Sequence, residues 1–237
     1  MNPWFIWKGE SSEDYGIWVS ELPAPTRAEE RMEDITIPGR AGSLTYREGD
    51  NVHEAYVRDV KITVRANADF ASLLTWLSGD GQAIFSNEPD RVYTAHINGE
   101  VKFDKEGNSL KIATIPFYCQ PHKGQYPPET AVTFSANGTL RNPGTVSARP
   151  LVSVTFTETC TVTLGDMAMT FTSEAPAEGE SYVQETISVD CEAQIITCPD
   201  GIWRGTSSGD FWLLPPGDNA VTLTGASVSI MPRWRWF

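Results

Sequence analysis

The sequence predicts a mainly β protein of two domains with one short helix, in the first domain. Three observations carry that prediction. Apolar residues alternate with polar ones in short runs over most of the chain, most regularly after residue 126, where Val152, Val154 and Phe156, then Val162 and Leu164, then Ile187, Val189 and Cys191, then Val228 and Ile230 repeat with period two. A single stretch breaks that period: Phe70, Leu73, Leu74 and Leu77 recur at helical spacing between Asp69 and Gly79. Pro121, Gly124, Pro127 and Pro128 crowd residues 120–130, which predicts the boundary between domains spanning 1–125 and 126–237.

In chain order, Trp4 to Trp7 is an aromatic strand and Ile17 to Val19 a second, after which Leu22-Pro23-Ala24-Pro25 forces an extended path. Arg27, Glu29, Glu30, Arg31, Glu33 and Asp34 read as a solvated surface. Ile35 and Ile37 then alternate as on a half-buried strand, Pro38-Gly39 ends it, and after Gly42 the alternation resumes at Leu44 and Tyr46. Arg40, held between two glycines, is the one cation of that turn, and solvation and contact with another subunit are both open to it. Val60, Ile62 and Val64 make a strand with one wet face.

The helix is expected over about 69–78, capped by Asn67 or Asp69 and ended by Gly79, its stripe covering a sheet. Trp76 falls partly off that stripe, at the core edge or at a subunit contact. Strands are expected at about 82–86, 92–97, 100–104 and 109–119, joined by Asn98-Gly99 and by Glu106-Gly107-Asn108. In the second half, strands spaced by turn residues predict an antiparallel sandwich without helix, with an exposed loop over 173–181. In the closing Arg233-Trp234-Arg235-Trp236 the two tryptophans share one strand face and the arginines the other.

Composition excludes several classes. The 237 residues carry a net charge of −13, with 13 basic against 19 acidic residues up to position 125 and 5 against 12 beyond it. So uniform an acidity opposes phosphate binding, although an acidic wall suits passage of nucleic acid. Segments able to span a membrane or direct secretion are missing, which predicts synthesis and folding in a cytoplasm. Cys119, Cys160, Cys191 and Cys198 show no paired metal spacing and read as buried free thiols. Neither a nucleophile elbow around Ser43 nor a phosphate loop at Gly79-Asp80-Gly81 is complete, so no enzyme and no cofactor is predicted.

The order of these motifs resembles a known family. Trp4 to Gly9, Ser11-Ser12, Asp14-Tyr15-Gly16-Ile17, the Pro38-Gly39-Arg40-Ala41-Gly42 turn, Trp76-Leu77-Ser78-Gly79 and Ala83 to Pro89 are similar to the N-terminal domain of the distal tail protein of long-tailed, non-contractile bacteriophages. Asn142-Pro143-Gly144-Thr145 with Pro150, and Asp210, Phe211, Leu214, Pro216, Gly217 and Asn219 within the 210–219 segment, resemble its C-terminal domain.

The resemblance implies a β-barrel or sandwich-like ring-forming domain followed by a galectin-like β-sandwich. It implies a homohexameric virion ring at the distal tail tip, docked on the tail-tube protein and on a tail-associated tip protein. DNA would pass through the middle without specific binding. Ring contacts are sought in the aromatic strand, at Phe5 and Trp7, and near Arg40. A chain of this length has no room for the inserted carbohydrate-binding module of some members. The competing expectations are a tail-tube ring subunit, which usually lacks the second sandwich, and a carbohydrate-binding module with Trp203 and Arg204 as a sugar platform. Against the latter, Trp203 and Trp212 also fit a core or an interface.

Overall fold

The computed structural model describes residues 2–47, 49, 52–106 and 109–237. The chain divides into two compact units, residues 1–127 together with Phe237, and residues 128–236. Every strand pairing is antiparallel.

The first unit contains β1 (Phe5–Trp7), β2 (Glu10–Ser11), β3 (Trp18–Glu21), β4 (Met32–Thr36), β5 (Ser43–Arg47), β6 (Tyr56–Arg65), α1 (Phe70–Trp76), β7 (Gly79–Phe85), β8 (Glu88–Ile97), β9 (Asp104–Glu106) and β10 (Leu110–Gln125). Its main sheet runs β2-β1-β7-β8-β10-β6-β3, with β9 on β10. Period-two patterning decides which face is dry. On β6, Val60, Ile62 and Val64 are fully buried while their neighbours face out, and on β10 Ala113, Ile115, Phe117 and Cys119 continue the same face. Leu73, Trp76 and Leu77 close over that face.

The helix starts at Asp69, whose carboxylate accepts the amides of Ala71 and Ser72 at 3.1 and 3.2 Å. Two details depart from the helical reading. Leu74, expected on the buried stripe, is exposed, and Trp76, assigned to the rim, is buried. The cause is a reciprocal clasp: Trp7 Nε1 donates to the Trp76 carbonyl at 2.9 Å, and Trp76 Nε1 donates to the Trp7 carbonyl at 3.2 Å. Buried indole N–H groups need acceptors, and this pair supplies both across the helix–sheet boundary.

Residues 120–125 correct a second expectation. They do not break the chain out of the sheet, because β10 continues to Gln125. Pro121 lies where the register with β8 shifts between Cys119 and Lys123, so its missing N–H falls in a gap of the ladder. Residues 100–103 are not a strand, and β9 begins at Asp104. Gly107 and Asn108 of the expected turn lie outside the described residues.

The second unit contains β11 (Val132–Phe134), β12 (Gly138–Asn142), β13 (Leu151–Leu164), β14 (Met167–Thr172), β15 (Glu185–Asp190), β16 (Ile195–Cys198), β17 (Gly201–Ile202), β18 (Thr206–Gly209) and β19 (Gly217–Met231). Two long strands organise it. β13 and β19 pair over Leu151–Phe156 with Ala226–Met231, lose register, and pair again over Thr161–Leu164 with Val221–Thr224. On one side of the break β13 carries β15, on the other β14. Gly225 stands at the break with φ of +72°, and a Cβ there would sit 2.8 Å from the Thr159 carbonyl oxygen. Both halves bury their apolar sides in one core, from Val152, Val154 and Phe156 to Val162, Leu164 and Phe171.

Candidate assembly interface

The hairpin β4–β5 belongs to neither main sheet and pairs only with itself. Its base is tied to the rest of the first unit by the Glu30–His53 bridge, by the Arg31 amide donating to Val52 O at 2.9 Å and by the Glu54 amide donating to Glu29 O at 2.8 Å. Arg31 is paired with Glu54 at 2.7 Å, and Arg47 with Glu30 at 3.3 Å. The charged residues from Arg27 to Asp34 are exposed, apart from the half-buried Glu30, as their charge density predicts, and they also supply the start of β4 and its anchor.

Beyond that base every residue of both strands is exposed, where the sequence pattern predicted a half-buried ladder. The register sorts the alternating residues onto two sides. Glu33 faces Tyr46 and Ile35 faces Leu44, so Ile35, Leu44 and Tyr46 share one side; Met32–Arg47, Asp34–Thr45 and Thr36–Ser43 share the other. On the polar side Thr45 donates to Asp34 at 2.6 Å. Ile35, Leu44 and Tyr46 are exposed by 43%, 45% and 57%. A two-stranded hairpin is marginal in water unless its apolar side is covered.

At the tip, Gly39 and Gly42 hold φ of +83° and +81° with open space around each, so backbone conformation alone requires glycine there. Pro38 precedes this turn, and the Arg40 amide donates to Ile37 O at 3.1 Å while its side chain reaches into solvent. Phe5 and Trp7 have the opposite placement. Both have no solvent exposure, Phe5 stacked on Trp76 at 5.6 Å and Trp7 edge-on to Phe117 at 5.4 Å. They hold the core and leave no surface for a second copy, which corrects the expectation of a contact there.

The C-terminal motif residues act on the backbone. Asn142, buried, donates to Val146 O and Leu214 O at 3.2 and 2.8 Å and accepts the Gly144 amide at 2.7 Å. Asn219 donates to Pro215 O and Gly217 O at 3.0 and 3.1 Å, and Gly217 has φ of +99°. Leu214 is in the core, Phe211 packs against it, and Asp210 and Pro216 are exposed. The motif fixes a loop and brings no reactive groups together.

Trp203 is half-buried, edge-on to Phe171 at 5.9 Å, with Nε1 donating to Glu185 at 3.2 Å. That is a packing role, and Trp212 lies in the core as well. Trp234 and Trp236 both face that core, while Arg233 grips Asp190 at 2.8 and 3.0 Å and Arg235 pairs with Glu192. Burial pushes the thiols of Cys119, Cys160 and Cys191 up to about 12, 11 and 11, and no group of metal-ligating side chains occurs among the described residues.

One cluster went unread in the sequence. Arg58 lies on the buried side of β6, in phase with Val60, Ile62 and Val64, and donates to the Tyr93 hydroxyl at 2.6 Å and to Glu88 and Pro23 O at 3.2 Å. Lys123 joins Glu88 at 2.7 Å, and Tyr93 also donates to Glu88. Burial raises the Glu88 carboxyl, but hydrogen bonds from Lys123 and Tyr93 and the two cations outweigh it and hold it below its usual range. Through Pro23 O, which also accepts Asn87 Nδ2 at 2.9 Å, the cluster straps the extended segment that leads toward the hairpin. The phase of Arg58 was the available signal.

Comparison with known proteins adds the architecture's parallel. The crystal structure of the SPP1 Dit (gp 19.1) protein, described as a paradigm of the hub adsorption apparatus in Gram-positive infecting phages, matches with a TM-score of 0.73 at 18% identity, covering 100% of both chains. No protein-family model and no curated protein matches the sequence. The chain thus shares, over its full length, the mainly β fold of that structure.

Proposed function

We propose that this chain is a structural subunit of the distal tail hub of a non-contractile phage or prophage-encoded tail. Six copies would form a ring through their first units. One face of the ring would meet the tail-tube protein and the other a tail-associated tip protein, leaving a channel for DNA, with the second unit as a galectin-like outer sandwich. The observation that carries the reading is the amphipathic β4–β5 hairpin, a projecting element whose apolar side is complete only against another protein surface. The likeness of fold to a phage hub protein supplies the setting. A closed ring needs two different, mutually fitting patches on each copy, and a projecting hairpin is one such patch. Pro38, Gly39, Arg40 and Gly42 then shape the tip of the arm, with Arg40 as its outermost cation.

Acidity spread over the chain fits DNA passage without binding. The packed Trp203 weakens the carbohydrate-binding alternative, and the second unit weakens that of a tail-tube subunit. Sedimentation velocity tests the reading. The wild-type chain at high concentration should sediment as an oligomer, and the Ile35→Ser/Leu44→Ser/Tyr46→Ser variant as a folded single copy with an unchanged circular dichroism spectrum. An equally assembled variant would remove the hairpin from the interface.

A further inference from the structure

The outward face of the first unit's sheet contains a depression. Across β3, β6, β10 and β9, Trp18, Thr63, Ile112 and Asp104 stand side by side in one row. Lys61 and Thr114 form the next row, and Ser20 and Lys102 complete the rim. These residues other than Trp18 line a groove of about 350 Å³. Trp18 and Ile112 are exposed by 48% and 40%, with the Arg65 guanidinium 5.7 Å from the Trp18 ring. α1 covers the opposite face of the sheet. Trp18 and Ile112 thus leave apolar surface open on the sheet beside the Lys61–Glu21 and Lys102–Asp104 pairs.

Resting on the ring proposal, we infer that this groove receives the β4–β5 hairpin of the neighbouring copy. Three features favour that occupant. The hairpin presents Ile35, Leu44 and Tyr46 on one side, an apolar strip for Trp18 and Ile112. Glu33 lies on that same side, opposite Tyr46, and has no cationic partner among the described residues. The groove supplies Lys61 and Lys102, held in exposed pairs with Glu21 at 2.6 Å and Asp104 at 3.4 Å, which exchange readily. The contact is heterologous, hairpin on one copy and groove on the next, the kind that closes a ring.

Photo-crosslinking decides it. Tyr46 is replaced by benzoylphenylalanine, and isotopically light and heavy chains are mixed at high concentration, so adducts between copies are recognised by their mixed label. The inference expects mixed-label adducts on residues 18–21, 61–63, 102–104 or 112–114. The same probe at Thr114 should label residues 32–47 of the other copy. Mixed-label adducts confined to other segments, or adducts only within one copy while the chain assembles, overturn the groove and leave self-association standing. A chain that sediments as single copies and yields no mixed adduct overturns both.

Discussion

At the scale of single residues, the first unit holds a charged cluster where an apolar core would suffice. Breaking a buried pair by removing one partner typically costs several kcal/mol, whereas an apolar replacement of the whole set is often neutral, so stability alone does not explain Arg58, Glu88 and Lys123. The bonds from Arg58 to Pro23 O and Tyr93, with Glu88 accepting from Arg58, Tyr93 and Lys123, explain them better, since they fix a proline-rich segment outside the strand ladders. In the second unit Asp190 has the comparable role. The Arg233 fork, with the amides of Glu192 and Ala193, holds its carboxyl at about 2. A depressed folded value stabilises above the unfolded value near 4 and is lost as pH falls through the folded one. Arg233→Met should therefore lower the second unit's stability by about 1–2 kcal/mol at pH 7, given the partial exposure of both groups. Urea denaturation should show that difference closing between about pH 4 and pH 2. A deficit that persists unchanged at pH 2 would mean that packing, not charge, carries it.

At the scale of elements, legibility followed the solvent environment. Strands with one dry side were readable because burial forces alternation, as at Val60-Ile62-Val64 and Val152-Val154-Phe156. The hairpin shows the same alternation with no burial in its own chain, so the pattern was right about strand and wrong about half-burial. The helix stripe misplaced Leu74, and Trp76, read at the core edge or a subunit contact, is buried in a clasp with Trp7, 69 residues away in sequence, about which periodicity carries no information. Phe5 and Trp7 failed as interface candidates for a related reason: aromatic enrichment marks cores and interfaces alike. Pro121 misled because a proline can sit at a break in register. The break between the halves of β13 and β19 was invisible for the same reason, although it sets how the second unit closes. Gly225→Ala, strained by positive φ and by the Thr159 carbonyl, should destabilise that unit by roughly 1–3 kcal/mol. Thermal unfolding of the variant reads this directly, and an unchanged midpoint would show that the bend relaxes at little cost.

At the scale of the whole molecule, the two units divide the design. The first carries the helix, the strapped segment and the projecting hairpin, together with the groove proposed to receive it; the second is built on two long bent strands, with motif asparagines spent on its loops. Two mutually fitting patches on one rigid unit specify a rotation between neighbours, and a fixed rotation closes at a fixed copy number. The central claim is that these copies assemble into a hub ring. Electron microscopy of the purified chain at high concentration, alone and with its tail-tube protein, tests it most directly. The account predicts six-fold rings with an open centre, absent from the Ile35→Ser/Leu44→Ser/Tyr46→Ser variant. Isolated single copies under both conditions would contradict it.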